Sequence, residues 1–178
     1  MTGQGLSLKP FPASGAFPDI KLTAALSRLS DTLSIRYELG PLADLSTPEP
    51  AGMPSRRDRL WEETCFELFL RPKNSNQYWE INLSPAGHWN VYRFGSYRQG
   101  MQEEAAFTIL PFSVTIEQNA LRLSLELELN KINLADQDLR IAVSAVIKPS
   151  HGSITYWALA HPGPQPDFHH SDSFIAEL

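Results

Sequence analysis

The chain has 178 residues, 42% of them apolar and 20% charged, with a net charge of −5. That length and composition suit one globular domain with a sizeable core and exclude a disordered chain. The acidic balance argues against a nucleic-acid partner, because the densest basic run, Arg56-Arg57-Asp58-Arg59, is short and interrupted by an acid. No apolar run reaches the length of a membrane span, so no membrane partner is expected. The opening MTGQGLSLKPFPASG has neither the charged nor the apolar region of a secretory signal, and a cytoplasmic location is the expectation.

In chain order, residues 1–19 hold three prolines and three glycines and are expected to form an extended lead-in, with one domain over 20–178. Residues 20–39 carry two patterns. Leu22, Ala25, Leu26 and Leu29 fit a helix face, whereas Leu33, Ile35, Tyr37 and Leu39 alternate with period two. The turn formers Ser30-Asp31 favour a hairpin, 21–28 with 32–39. Residues 40–60 hold four prolines and form a long loop, a type that often carries function.

Residues 61–94 organise the chain. Three runs, 64–70, 78–84 and 89–94, alternate with period two and are rich in aromatic and β-branched residues. Phe66, Leu68 and Leu70 share one face of the first run, and Trp79, Ile81 and Leu83 one face of the second. The opposite faces mix carboxylates, an amide and aromatics, which is how a ligand-facing surface reads. With the apolar faces kept together, the register favours Glu67 opposite Asn82 and Phe69 opposite Glu80, because Glu67 opposite Glu80 sets like charges together.

GSYRQGMQEE is a polar crossing, a loop or short helix. A hairpin follows, 112–118 with 121–129, in which Leu121, Leu123, Leu125 and Leu127 face inward. Leu139 to Ile147 and Ile154 to Leu159 alternate as strands, a rigid HPGPQPDFHHSD loop comes next, and SFIAEL closes the chain. About ten short strands and no long helix point to an all-β fold, a sandwich or a barrel.

Glu67 and Glu80 share a face and could form an acid/base pair, contact a polar ligand, or pair with Arg93 or Arg98. Parity could also set Arg93 beside Glu80 if Tyr92 and Phe94 point to the core. Asp167, His169 and Asp172 could hold calcium or another divalent cation in a loop, and Met101 with a histidine could ligate haem. Cys65 reads as a small packed residue rather than a nucleophile. Phosphate-loop and nucleophile-elbow motifs are absent. Trp61 ends the proline-rich loop, where an aromatic serves either as a stacking platform or as a lid on the core.

WEETCFELFL, followed by YWEIN and a glycine turn, and the closing WAL with PDFHHSDSF, resemble the DOMON-like domains and, within them, the family 9 carbohydrate-binding modules, over about residues 20–178. The resemblance implies a two-sheet antiparallel β-sandwich whose concave sheet holds a sugar end between two aromatic rings. It places Trp61 at the first clamp position, Phe168 at the second, and Glu67 and Asn82 at ligand-bonding positions, with His169 near the rim. Glu80 stands where the sugar binders carry arginine, which replaces a donor fork with an acceptor and reverses the charge. The leading expectation is a non-catalytic domain for a sugar, polyol or cationic metabolite. An enzyme using Glu67 and Glu80, a haem module, and a structural or interaction domain are the alternatives.

Overall fold

Every stretch that alternates in the sequence is a strand in the computed structural model, which describes residues 4–12, 19–43, 45–46 and 48–178. The strands are β1 (Gln4–Pro10), β2 (Lys21–Leu29), β3 (Thr32–Gly40), β4 (Cys65–Pro72), β5 (Tyr78–Leu83) and β6 (Trp89–Phe94), then β7 (Gln102–Glu103), β8 (Phe112–Glu117), β9 (Ala120–Glu128), β10 (Leu139–Ile147), β11 (Thr155–Ala158) and β12 (Ala176–Glu177). The helical content of the described residues is three 3₁₀ turns, Leu60–Glu62, Leu129–Ile132 and Ser171–Ser173. No helix among them is long and apolar enough to cross a membrane.

All pairings between these strands are antiparallel, in the order β7-β6-β5-β4-β10-β11-β1-β2-β3-β9-β8, with β12 against β10. The expected antiparallel all-β fold is present, and its two halves are joined in one continuous, curled path. The link is β1, which pairs with β2 over Gln4–Leu8 and with β11 at Lys9 and Pro10. Part of the expected lead-in is therefore a strand of the sheet. Leu8 points into the core, and the prolines that argued against regular structure fall at or beyond the strand's end, where a missing N–H is tolerated. Residues 1–3 and 13–18 of the lead-in lie outside the described residues.

The two halves of the path share one core. Leu22, Tyr37 and Leu123 come from one half, Phe66, Ile81 and Val143 from the other. The Tyr37 hydroxyl crosses between them and donates to the Glu67 carbonyl at 2.8 Å. Leu121, Leu123, Leu125, Leu127, Phe66, Leu68, Ile81 and Leu83 are all buried, as their alternation predicts. Each such side chain contributes about 1.5–3 kcal/mol on leaving water.

A second cluster covers the opposite face of β4, β5, β6, β10 and β11. Phe69, Tyr78, Tyr92 and Phe94 meet Phe168 and Phe174 from the closing loop there. Strands β4 and β5 are thus buried on both faces, which explains why neither side of their alternation reads as solvent. Glu67 pairs with Asn82 and Phe69 with Glu80, the register that keeps the two carboxylates from standing directly opposite.

Candidate functional site

The floor of the site comes from this second face. Glu67 lies between Asn82 on β5 and Ser144 on β10, its direct partners on either side. The Asn82 amide donates to Glu80 Oε1 at 2.8 Å, and the Ser144 hydroxyl donates weakly to Glu67 Oε2 at 3.5 Å. Glu67 and Glu80 are only 3% and 4% exposed. Asn82 Oδ1 is fully buried and has no hydrogen-bond partner. Ser144 and Ala158, paired across β10 and β11, are small and add little bulk beside the carboxylates.

Above this floor is a cavity of about 360 Å³ with Trp61, Glu67, Glu80, Arg98, Phe168 and His169 in its lining. That volume is in the range of small-ligand sites. Trp61 is on the 3₁₀ turn before β4 and meets the Tyr92 ring edge-on, with centroids 5.9 Å apart. Phe168 comes from the closing loop and meets Tyr156 at 6.1 Å. A tyrosine thus supports each wall. Tyr92 is itself fixed: its hydroxyl donates to Asp58 at 2.6 Å and accepts from the buried Asn90 amide at 2.8 Å.

His169 and Arg98 complete the lining. His169 is boxed edge-on by Phe69, Tyr78 and Phe94. Its Nδ1 is 2.8 Å from the Tyr78 hydroxyl and its Nε2 is 3.7 Å from Glu80 Oε2. Arg98 lies in the loop after β6 and pairs with Asp167 at 2.9 Å, while Tyr97 donates to the same carboxylate at 2.5 Å. Beyond Tyr78 and His169 a more open cleft of about 700 Å³ is lined in part by Arg71, Asn76 and His170.

Burial dominates the electrostatics. It pushes the Glu67 carboxyl well above its usual range, and the nearby Glu80 adds to the effect, against Ser144 and Arg98. Burial raises Glu80 to about 7, opposed by the Asn82 hydrogen bond and by Arg98. Burial, and second to it the Arg98 charge, lower His169 to about 4, so the imidazole is neutral near neutral pH. Asp167 is lowered despite its burial, because Tyr97 and Arg98 hydrogen-bond to it. The cavity therefore carries a desolvated acid pair, a neutral histidine, and an arginine already matched by its own carboxylate.

Of the residues singled out in the sequence, Trp61, Glu67, Glu80, Phe168 and His169 meet in one cavity, whereas Asn82 is fully buried behind its lining, bonded to Glu80. Arg93 does not join them. The turn after β5 closes through the Ser84 N–H and the His88 carbonyl, so Leu83 pairs with Trp89 and Trp79 with Arg93. Arg93 is thereby on the other face, exposed and bonded to Gln102, while Tyr92 and Phe94 turn toward the site. The Asp167 carboxylate accepts from Arg98 and from the His169 backbone N–H, the His169 ring contacts Tyr78, the Asp172 carboxylate accepts from Ser171, and no three metal-ligating groups cluster among the described residues. His88 contacts Ser55, and Met101 lies at the mouth of the cavity. Cys65 is fully buried with its thiol pushed up by burial, and so is no nucleophile.

Sequence reasoning missed Tyr156 as a lining residue, and it offered Arg98 as a partner for the glutamates, whereas Arg98 lines the cavity paired with Asp167. Tyr156 was available, because Trp157 faces the core and its neighbour must face the other way. Arg98 sits in a turn with a left-handed backbone, and no pattern announces where such a loop directs a side chain.

No family model matches the sequence, and no curated protein matches it. Among solved structures, the fold is similar to that of a candidate carbohydrate-binding protein from Bacteroides uniformis ATCC 8492, with a TM-score of 0.73 at 9% identity over 97% of this chain and 84% of the other. A family 9 carbohydrate-binding module from Caldicellulosiruptor kristjanssonii, in complex with glucose, matches with a TM-score of 0.44 at 11% identity over 80% of this chain and 68% of the other. At such identities the likeness is one of fold.

Proposed function

We propose that the chain is a non-catalytic binding domain for a small ring-shaped ligand, a sugar or polyol, taken between Trp61 and Phe168. The observation that supports this reading is the joining of two supported aromatic walls and a buried polar floor in one cavity of about 360 Å³. Aromatic faces cover the C–H faces of a sugar ring, and the carboxylates accept its hydroxyl protons. The fold shared with the Bacteroides uniformis protein is consistent with a carbohydrate ligand. We place the chain beside the family 9 modules of the DOMON-like domains on the spacing of Trp61, Glu67, Asn82 and Phe168.

The test is thermal shift followed by calorimetry against monosaccharides and polyols, since a ligand that binds only the native state raises the midpoint. Trp61→Ala should weaken the best ligand at least about tenfold, the order of one lost aromatic contact with its buried area. A panel in which nothing raises the midpoint, or a Trp61→Ala variant that binds like the parent, defeats the reading. An acid/base role for the Glu67–Glu80 pair is the second reading, favoured by the raised pKa of both groups. Turnover of aryl glycosides that disappears in Glu80→Gln supports that alternative.

A further inference from the structure

We propose that the cavity selects a ligand with a protonated amine, an amino sugar above all, and seats the ammonium on Glu67 and Glu80. This inference rests on the reading of the same cavity as a binding site for a small ring.

The floor has an excess of acceptors. Two carboxylates are buried there, and neither is ion-paired with a lysine or arginine among the described residues. Glu80's one ion-pair contact among the described residues is with His169, whose ring is neutral in this setting and already committed through Nδ1 to Tyr78. Against these oxygens the protein supplies one amide donor from Asn82 and one long hydroxyl contact from Ser144. Asn82 adds a further acceptor. Its side chain is between the two carboxylates, bonded to Glu80 and paired across the strands with Glu67, yet Oδ1 is buried with no partner.

A hydroxyl group brings one donor and no charge. An ammonium brings three donors and the positive charge that the desolvated pair lacks. Arg98 does not fill this role, because Asp167 and Tyr97 hold it at the rim as a matched pair. The same geometry disfavours sugar acids, whose carboxylate would bring a further buried charge of the same sign beside Glu67 and Glu80. The aromatic walls suit a cation as well as a ring, since the face of an indole or phenyl attracts positive charge.

The test uses matched sets: glucosamine, glucose and N-acetylglucosamine, with the galactose and mannose series alongside, measured by calorimetry on the full chain near neutral pH. In at least one series the free amine should bind at least tenfold more tightly than both the parent sugar and the N-acetyl form. In Glu67→Gln/Glu80→Gln that advantage should fall to within about threefold. Neutral sugars that bind as tightly as the amines overturn the inference and leave the sugar-binding reading standing. Failure of every sugar and amine to bind overturns both. If the double variant does not fold, the comparison within each series on the parent protein decides the matter alone.

Discussion

Glu67 and Asn82 stand directly opposite one another on β4 and β5, and Asn82 gives its amide hydrogen bond along its own strand to Glu80 rather than across to Glu67. The two carboxylates are therefore diagonal neighbours, and the amide bonds only Glu80. Glu67 has only the long Ser144 contact. Both acids are held in a setting that favours their neutral forms.

A pH dependence of stability follows. Glu80 titrates at about 7 in the folded chain against a usual 4.5, so between those values the native state binds more protons than the unfolded state. Stability from this group is fully present below the unfolded value and is lost as pH rises through the folded one. The shift corresponds to roughly 3 kcal/mol as an order of magnitude. Thermal melts should show the midpoint falling between about pH 5 and pH 8. Glu80→Gln, which keeps the shape and the acceptor for Asn82, should flatten that fall and raise the alkaline end. A variant with the slope of the parent protein would refute this assignment.

Arg98 acts on His169 through its charge, second to burial, and holds the imidazole at about 4. Arg98→Gln should move the His169 titration upward, but leave it below its ordinary value because burial is unchanged. The same substitution removes a hydrogen bond from Asp167, whose pKa should also rise. Proton NMR of the histidine ring across pH reads the first effect directly. An unmoved His169 titration counts against the coupling.

Trp61 and Phe168 differ in what they do for the fold. Trp61 is partly exposed on its 3₁₀ turn, whereas Phe168 is 9% exposed and packs within the second cluster. Phe168→Ala should lower stability by about 3 kcal/mol, at the low end for a buried phenylalanine, and Trp61→Ala by about 1 kcal/mol. Denaturant melts of the free proteins measure both. Equal losses would mean that Trp61 is more deeply packed than its contacts indicate.

Much of this was legible in the sequence, for identifiable reasons. The β4–β5 register followed from parity and from the cost of setting Glu67 against Glu80, two local constraints that point the same way. Arg93 was misplaced because parity across the next turn depends on the register of that turn. The Ser84–His88 closure pairs Leu83 with Trp89 and sends Arg93 to the other face. Strand β1 was hidden because prolines and glycines surround a short alternating run that is stabilised only by distant partners. Trp61 and Phe168 could be nominated from their loops, but their meeting in one cavity is a property of the curled sheet and of Tyr92 and Tyr156 beneath them.

Tyr92 should act on the ligand through Trp61. Its hydroxyl joins Asp58, in the loop that leads to Trp61, to the buried Asn90 of β6. Burial raises its pKa, and the Asp58 hydrogen bond raises it further, so the group stays a donor at ordinary pH. Tyr92→Phe keeps the ring under Trp61 but removes this tie. It should cost about 1–2 kcal/mol of stability, since the hydrogen bond to the Asp58 carboxylate is lost, while Asn90 keeps Arg57 and Glu103 as acceptors. Affinity for the best ligand should fall about threefold to tenfold, because the loop must then be ordered on binding. A double-mutant cycle separates this from a direct contact: in a Trp61→Ala background, Tyr92→Phe should have little further effect on affinity. Additive losses would mean that Tyr92 contacts the ligand independently of Trp61.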